Sequence, residues 1–254
     1  MAQIEKPKVN SESAHWTSAR DILHFVGVCG AGKTTLAKRL AARCRSYGGK
    51  AIGTIDWEPH TADVDRHAER AFSREFDSIN NEGSDPAIHG KIVQHSLDLI
   101  ETWKRSDANL VLVDRWYESY DNLPLECADQ IEEALATSGF RVTVVNLTIA
   151  VPQASGSDFD AMCARIAHTR ANRPPSWWTD DMGTLDEMAR SECAFQGQYL
   201  DFQLRTPFSS IRIPTTDMDW ESHEQFIVES MARERRWRDF SANDAKAVLT
   251  AVLR

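Results

Sequence analysis

Short apolar runs alternate with amphipathic stretches along most of the chain, between residue 21 and about residue 237. Strands that alternate with helices in this way are typical of one parallel sheet with right-handed crossovers and helices on both faces. The pattern therefore predicts a three-layer α/β/α domain with a five-stranded parallel sheet. The apolar runs predict strands at 22–26, 51–55, 110–113, 142–147 and 211–213. The amphipathic stretches predict helices at 33–46, 61–79, 87–105, 124–138, 158–172, from 184 onward, 222–237 and 242–253.

The loop after the first predicted strand carries the clearest chemical signal. Residues 27–34 match the phosphate-binding pattern G-x-x-x-x-G-K-[ST] at its fixed positions, Gly27, Gly32, Lys33 and Thr34. The strand before this loop and the helix after it are the context that the pattern requires. Backbone N–H groups of such a loop, with the positive helix end behind them, bind phosphate oxygens. We predict that the loop binds a nucleoside triphosphate through Gly27, Cys29, Gly30, Ala31, Gly32, Lys33, Thr34 and Thr35.

Two predicted strands are followed by an aspartate, Asp56 and Asp114, at the edge where parallel sheets bind ligands. Thr34 and Asp114 are the predicted Mg²⁺ residues, with Asp114 acting through water, although Asp114 would also suit a cap on the following turn. Arg115 stands beside Asp114, where a motor ATPase usually has a glutamate that activates water. Arginine cannot act as a base but can neutralise phosphoryl oxygens, so phosphoryl transfer fits better than hydrolysis.

The acceptor of the phosphoryl group is left open by two competing features. Asp56 and Glu58 place two carboxylates after the second strand, which favours a hydroxyl acceptor because a hydroxyl must lose a proton. Either carboxylate would also serve as a helix cap or a solvent-exposed group. Against this, Arg66, Arg70 and Arg74 recur on one helical face, where they would bind an acceptor phosphate or form an ordinary charged surface.

Composition limits the class of protein further. The net charge of −9 disfavours nucleic-acid binding, and no apolar run is long enough to cross a membrane. The five cysteines form no C-x-x-C pair, which argues against zinc and disulfides and favours a reducing cytoplasm. We expect residues 1–20 to be a flexible polar arm and 239–254 to be a helical extension.

Three segments, at 25–35, 114–119 and 165–173, resemble the P-loop nucleoside and nucleotide kinases, and thymidylate kinase in particular. The resemblance implies a P-loop kinase domain over 21–238 with strand order 2-3-1-4-5 and a helical lid at about 152–184. It also implies an ATP-dependent phosphotransferase that uses ATP and Mg²⁺, and a homodimer is possible for this fold.

The resemblance also suggests which residues act on the phosphates, because the lid of this family carries arginines that close over the triphosphate and exclude water. The predicted catalytic residues are Lys33, Asp56, Arg115, Arg165, Arg170 and Arg173. The chain departs from thymidylate kinases at two points on the acceptor side. Cys29 stands where that family usually has aspartate, and 56–59 is Asp-Trp-Glu-Pro where that family has an Arg-Glu-Pro-Gly-like segment.

These features favour an ATP-dependent kinase that phosphorylates a hydroxyl of a nucleoside-like or other hydroxylated metabolite. Two alternatives stay open: a nucleoside monophosphate kinase, and a nucleotide-binding regulatory protein without catalysis.

Overall fold

A computed structural model describes residues 16–54, 86–114, 116–117, 123–149, 156–172 and 183–234. In this part of the chain the strands are Asp21–Gly27 (β1), Ala51–Thr54 (β2), Leu110–Asp114 (β3), Arg141–Thr148 (β4) and Ser209–Pro214 (β5). The helices are Lys33–Ser46 (α1), Pro86–Arg105 (α2), Leu125–Ala136 (α3), Gly156–Ala171 (α4), Leu185–Arg205 (α5) and 220–234 (α6). These bounds follow the predicted pattern closely, whereas the helices predicted at 61–79 and 242–253 lie outside the described residues.

The strands form one parallel sheet in the order β2-β3-β1-β4-β5, which confirms the predicted fold class and strand order. Phe25 in β1 is level with Asp114 at the end of β3, and Gly27 is level with Leu147 in β4. Right-handed crossovers in this strand order put α1 on one face of the sheet and the helices of the later crossovers on the other. The helix α6 packs beside α1, where Arg39 and Arg43 bind Glu224. The loop after β1 therefore emerges between the carboxyl ends of β3 and β4.

The core lies on both faces of the central strands, since every residue of β1 and β3 is buried. The apolar face predicted for α1 is confirmed, because its apolar residues at i, i+1, i+4, i+5 and i+8 are all buried. They are Leu36, Ala37, Leu40, Ala41 and Cys44. Burial also raises the pKa of the Cys44 thiol to about 11, because the thiolate is poorly solvated there.

Residues 16–20 correct the predicted boundary of the N-terminal arm. Trp16 is only 2% exposed and Ala19 is buried. The Arg20 guanidinium donates a hydrogen bond of 2.9 Å to the carbonyl oxygen of Trp103 and lies 4.2 Å from the centre of the Phe140 ring. These contacts attach the segment to the domain, so the prediction of a flexible arm over 1–20 is wrong for residues 16–20. Residues 1–15 lie outside the described part.

An aromatic cluster fixes the chain where it leaves β3. The Trp116 ring packs edge-on against Trp103 and Tyr117, with ring centres 5.2 Å apart in both pairs. The Tyr117 hydroxyl donates a hydrogen bond of 3.0 Å to a carboxylate oxygen of Glu132 on α3. Burial raises the pKa of Glu132, and the hydrogen bond from Tyr117 partly offsets this effect. Trp116 and Tyr117 are therefore core residues, and their packing holds the chain beyond the end of β3 in place.

No helix among the described residues has the length and apolar character needed to span a membrane.

Candidate active site

The loop between β1 and α1 depends on glycine at two tightly packed points. Gly27 has φ of 139°, and a Cβ atom there would lie 2.4 Å from the carbonyl oxygen of Leu147. Gly32 has φ of 93°, and a Cβ atom there would lie 2.3 Å from a ring carbon of Trp220 on α6. Both a left-handed backbone and the absence of a side chain are needed at these positions. The fixed glycines of the motif are thus explained by packing against β4 and α6.

The amino-terminal end of α1 has the features of an anion-binding site. Gly32 is its N-cap residue and has no side chain to accept hydrogen bonds from the first turn. The first turn of α1 also contains no acidic residue. The backbone N–H of Ala31 donates to the carbonyl oxygen of Val28, which closes the loop on itself. Such a helix end attracts phosphate oxygens through its N–H groups and its dipole.

Lys33 is folded into the loop rather than extended into solvent. Its side chain is 6% exposed, and its ammonium group donates hydrogen bonds to the carbonyl oxygens of Gly27 at 2.7 Å and Val28 at 3.0 Å. The two carbonyls compensate the desolvation of the charge. A positive charge is thereby held at the loop, where the motif requires it, while its contact with phosphate stays a prediction.

Thr34 and Asp114, which are 80 residues apart in the sequence, are in direct contact. The Thr34 hydroxyl donates a hydrogen bond of 2.8 Å to Oδ2 of Asp114. Asp114 is 4% exposed, and its Oδ1 atom has no hydrogen-bond partner among the described residues. A buried carboxylate oxygen without a partner is unfavourable unless a cation compensates it. The contact between Thr34 and Asp114 therefore agrees with the prediction that these two residues bind magnesium.

The metal would need further ligands beyond these two side chains. The described residues contain no cluster of three or more histidine, cysteine, aspartate or glutamate residues that could hold a metal alone. Magnesium usually keeps several waters and is bound through one or two carboxylates together with substrate phosphates. Thr34 and Asp114 therefore suit a metal ion that binds together with the nucleotide and takes its other ligands from phosphates and water.

Arg165 on α4 connects three parts of the structure. Its Nη1 atom donates a hydrogen bond of 2.9 Å to the carbonyl oxygen of Gly30, and Nη2 donates one of 2.6 Å to that of Thr215 after β5. The guanidinium carbon also lies 5.7 Å from the centre of the Trp220 ring. Burial lowers the pKa of Arg165 because its charged form is desolvated. Its guanidinium thus supports the phosphate loop, and its predicted contact with phosphate stays a prediction.

The remaining predicted residues divide into two groups. Thr35 on α1 and Arg170 on α4 are exposed, and the loop residues Cys29 and Gly30 are partly buried. Asp56, Arg115 and Arg173 lie outside the described residues, as do Glu58 and the arginines of the stripe at 66–74.

Two residues of this region were missed by the sequence analysis. The backbone N–H of Cys29 donates a hydrogen bond of 2.8 Å to Oε2 of Glu192 on α5. Trp220 covers the glycine at the start of α1, as described above. The only local signal for Glu192 is its helical spacing, since it stands between the buried residues Ala189 and Gln196 on one face of α5.

No protein-family model matches the chain, and no curated protein matches its sequence. Among solved structures, the chain is similar to the YorR protein from Bacillus subtilis in complex with phosphorylated GDP. The identity is 12%, the TM-score is 0.50, and the match covers 85% of this chain and 98% of YorR. It is also similar to a shikimate kinase from Acinetobacter baumannii in complex with shikimate, at 16% identity and a TM-score of 0.43. That match covers 86% of this chain and 98% of the shikimate kinase. At such identities, the likeness to YorR shows that the two chains share a fold.

Proposed function

We propose that this chain is an ATP-dependent kinase that transfers the γ-phosphoryl group to a hydroxyl of a small metabolite. The observation that carries the proposal is the contact of Thr34 with Asp114 at the start of α1. It combines a buried carboxylate oxygen that suits a cation with a helix end that suits phosphate, and Lys33 supplies a positive charge to the same loop. A nucleoside triphosphate with Mg²⁺ satisfies all three features.

The proposed roles follow from the chemistry of each group. Backbone N–H groups of the loop and Lys33 would hold the phosphates, and Thr34 and Asp114 would hold a Mg²⁺ ion, which would neutralise charge on the phosphates. Arg115, as the residue after Asp114, would neutralise the transferring group and offers no base for water. Kinase chemistry requires mainly positioning and charge stabilisation, which such a site provides.

The test is an assay of the purified chain with γ-labelled ATP or GTP, Mg²⁺ and a panel of acceptors. The panel contains nucleosides, sugars, polyols and hydroxy acids, together with nucleoside monophosphates. GTP is included because YorR was solved with phosphorylated GDP. A labelled phosphate ester of a hydroxyl compound supports the proposal. Release of labelled inorganic phosphate alone, with every acceptor, would contradict it.

Lys33→Met is the matched test of the binding site, because it removes the ammonium group but keeps an unbranched side chain that is only one atom shorter. It should weaken nucleotide binding by about 10- to 100-fold, since a hydrogen bond to a charged group contributes about 1.5–3 kcal/mol. Lys38→Met on the exposed side of the same helix removes an equal charge and should leave binding unchanged. Calorimetric affinities compare the two variants directly.

A phosphate acceptor, as in the thymidylate kinases that the sequence resembles, is the other candidate. This alternative predicts a nucleoside diphosphate as the product, and the assay detects that product when a monophosphate is the acceptor.

Since all five cysteines are free, we also propose a reducing cytoplasm as the location of the protein.

A further inference from the structure

Glu192 brings a carboxylate to the phosphate loop from a distant part of the chain. It lies on α5, one turn before Gln196 and three residues after Ala189, and both of these are buried. Its Oε2 atom accepts the hydrogen bond of 2.8 Å from the backbone N–H of Cys29. Cys29 belongs to the first half of the loop, immediately after the carbonyl of Val28 that binds Lys33. The carboxylate is thus held at the loop itself.

A neighbouring contact shows that anchoring α5 does not require a charge. Gln196 stands four residues after Glu192 and accepts a hydrogen bond of 2.8 Å from the backbone N–H of Ile149, just beyond β4. The neutral amide of Gln196 therefore does at β4 what the charged carboxylate of Glu192 does at the loop after β1. Together the two contacts fix α5 against the carboxyl edge of the sheet. Anchoring alone therefore does not explain why residue 192 carries a negative charge.

Nucleotide binding does not explain this charge either. A carboxylate beside a phosphate-binding loop repels the polyanion that the loop binds. Within the described part of the chain, no lysine or arginine forms an ion pair with Glu192. An acceptor phosphate would meet the same repulsion. A hydroxyl acceptor, in contrast, donates a hydrogen bond and must lose its proton as it attacks. A carboxylate favours the binding of this hydroxyl and the removal of its proton.

We infer that Glu192 binds the acceptor hydroxyl and takes its proton, and that the acceptor reacts through a neutral hydroxyl and not through a phosphate. This inference rests on the proposed kinase function. The hydroxyl oxygen forms the new bond to the γ-phosphorus, and the bond from that phosphorus to the bridging oxygen breaks, leaving its electron pair on ADP. The hydroxyl proton moves to the Glu192 carboxylate and then to solvent.

Glu192→Gln is the decisive variant because glutamine keeps an oxygen that accepts from Cys29 but loses the charge and the basicity. We expect its kcat with the hydroxyl acceptor found in the panel to fall by about 100-fold or more. Its Kd for the β,γ-imido analogue of ATP with Mg²⁺ should be no higher than that of the wild type. The pH profile of kcat/KM should also lose its acidic limb. Asp201→Asn makes the same chemical change at an exposed position of α5 and should leave all three quantities unchanged.

The outcomes separate this inference from the function on which it rests. If the wild type phosphorylates a hydroxyl and Glu192→Gln does so equally well, Glu192 has no role as a base and the inference is overturned. Activity in Glu192→Gln with a loss in Glu192→Ala would mean that the residue only anchors the loop, which also overturns it. If the wild type phosphorylates only nucleoside monophosphates, the proposed hydroxyl acceptor and the inference both fail.

Discussion

The Arg165→Met substitution tests whether Arg165 supports the structure or only binds phosphate. Methionine fills a similar volume but removes the two short hydrogen bonds to the carbonyl oxygens of Gly30 and Thr215. Hydrogen bonds from a charged donor contribute about 1.5–3 kcal/mol each, so the loss should amount to about 3–6 kcal/mol of unfolding free energy. For a domain of this size, 1 kcal/mol shifts Tm by about 2–4 °C, and the expected decrease is thus on the order of 10 °C.

Thermal unfolding followed by circular dichroism measures this change, with Arg170→Met as the control. Arg170 lies on the same helix but is exposed, so its substitution should change the unfolding free energy by less than about 0.5 kcal/mol. If Arg170 is a lid residue as predicted, Arg170→Met should instead lower kcat with stability preserved. An Arg165→Met protein that unfolds at the wild-type temperature would refute the structural role that we derive from its contacts.

Three further predictions follow from the site and the core. Asp114→Asn keeps an acceptor for the Thr34 hydroxyl but removes the charge, so the Mg²⁺ concentration needed for nucleotide binding should rise about 10- to 100-fold in calorimetric titrations; an unchanged requirement would remove Asp114 from the metal site. The raised pKa of Glu132 means that its contribution to stability is fully present below its ordinary value of 4.5 and is lost as the pH rises through the folded-state value. The wild type should therefore lose stability relative to Glu132→Gln as the pH rises above 4.5, and parallel stability curves would contradict this. Iodoacetamide at pH 8 should modify the partly exposed Cys29 faster than Cys44, whose thiolate fraction at a pKa of about 11 is ~0.1%. Mass spectrometry should also show that a bound nucleotide protects Cys29, and equal labelling with and without nucleotide would argue against binding at this loop.

The sheet and the phosphate loop could be predicted from the sequence because their signals are local. The apolar runs of β1 and β3 reflect strands that are buried on both faces, and helices between them imply parallel pairing. The glycines of the loop are needed for left-handed backbone conformations and close packing, so they stand at fixed spacings in the sequence. Asp114 could be predicted as a site residue because it directly follows the apolar run at 110–113 and is the last residue of β3.

The boundary of the N-terminal segment could not be predicted in the same way. Residues 16–20 contain one tryptophan in a polar stretch, and no periodicity shows that it is a core residue. Trp16 is buried because the folded domain provides a place for it. The cation that stabilises this segment, Arg20, binds carbonyl oxygens more than 80 residues away.

What the sequence alone determined is the α/β sheet and the loop that suits a triphosphate, since strand burial, helix periodicity and glycine spacing act over a few residues. Only the tertiary structure decided which side chains surround that loop. Glu192 meets Cys29 across 163 residues and Arg165 meets Gly30 across 135, and neither pair shares a local pattern. Such contacts depend on how α4 and α5 pack against the carboxyl edge of the sheet, so no local sequence pattern predicts which side chains lie beside the loop.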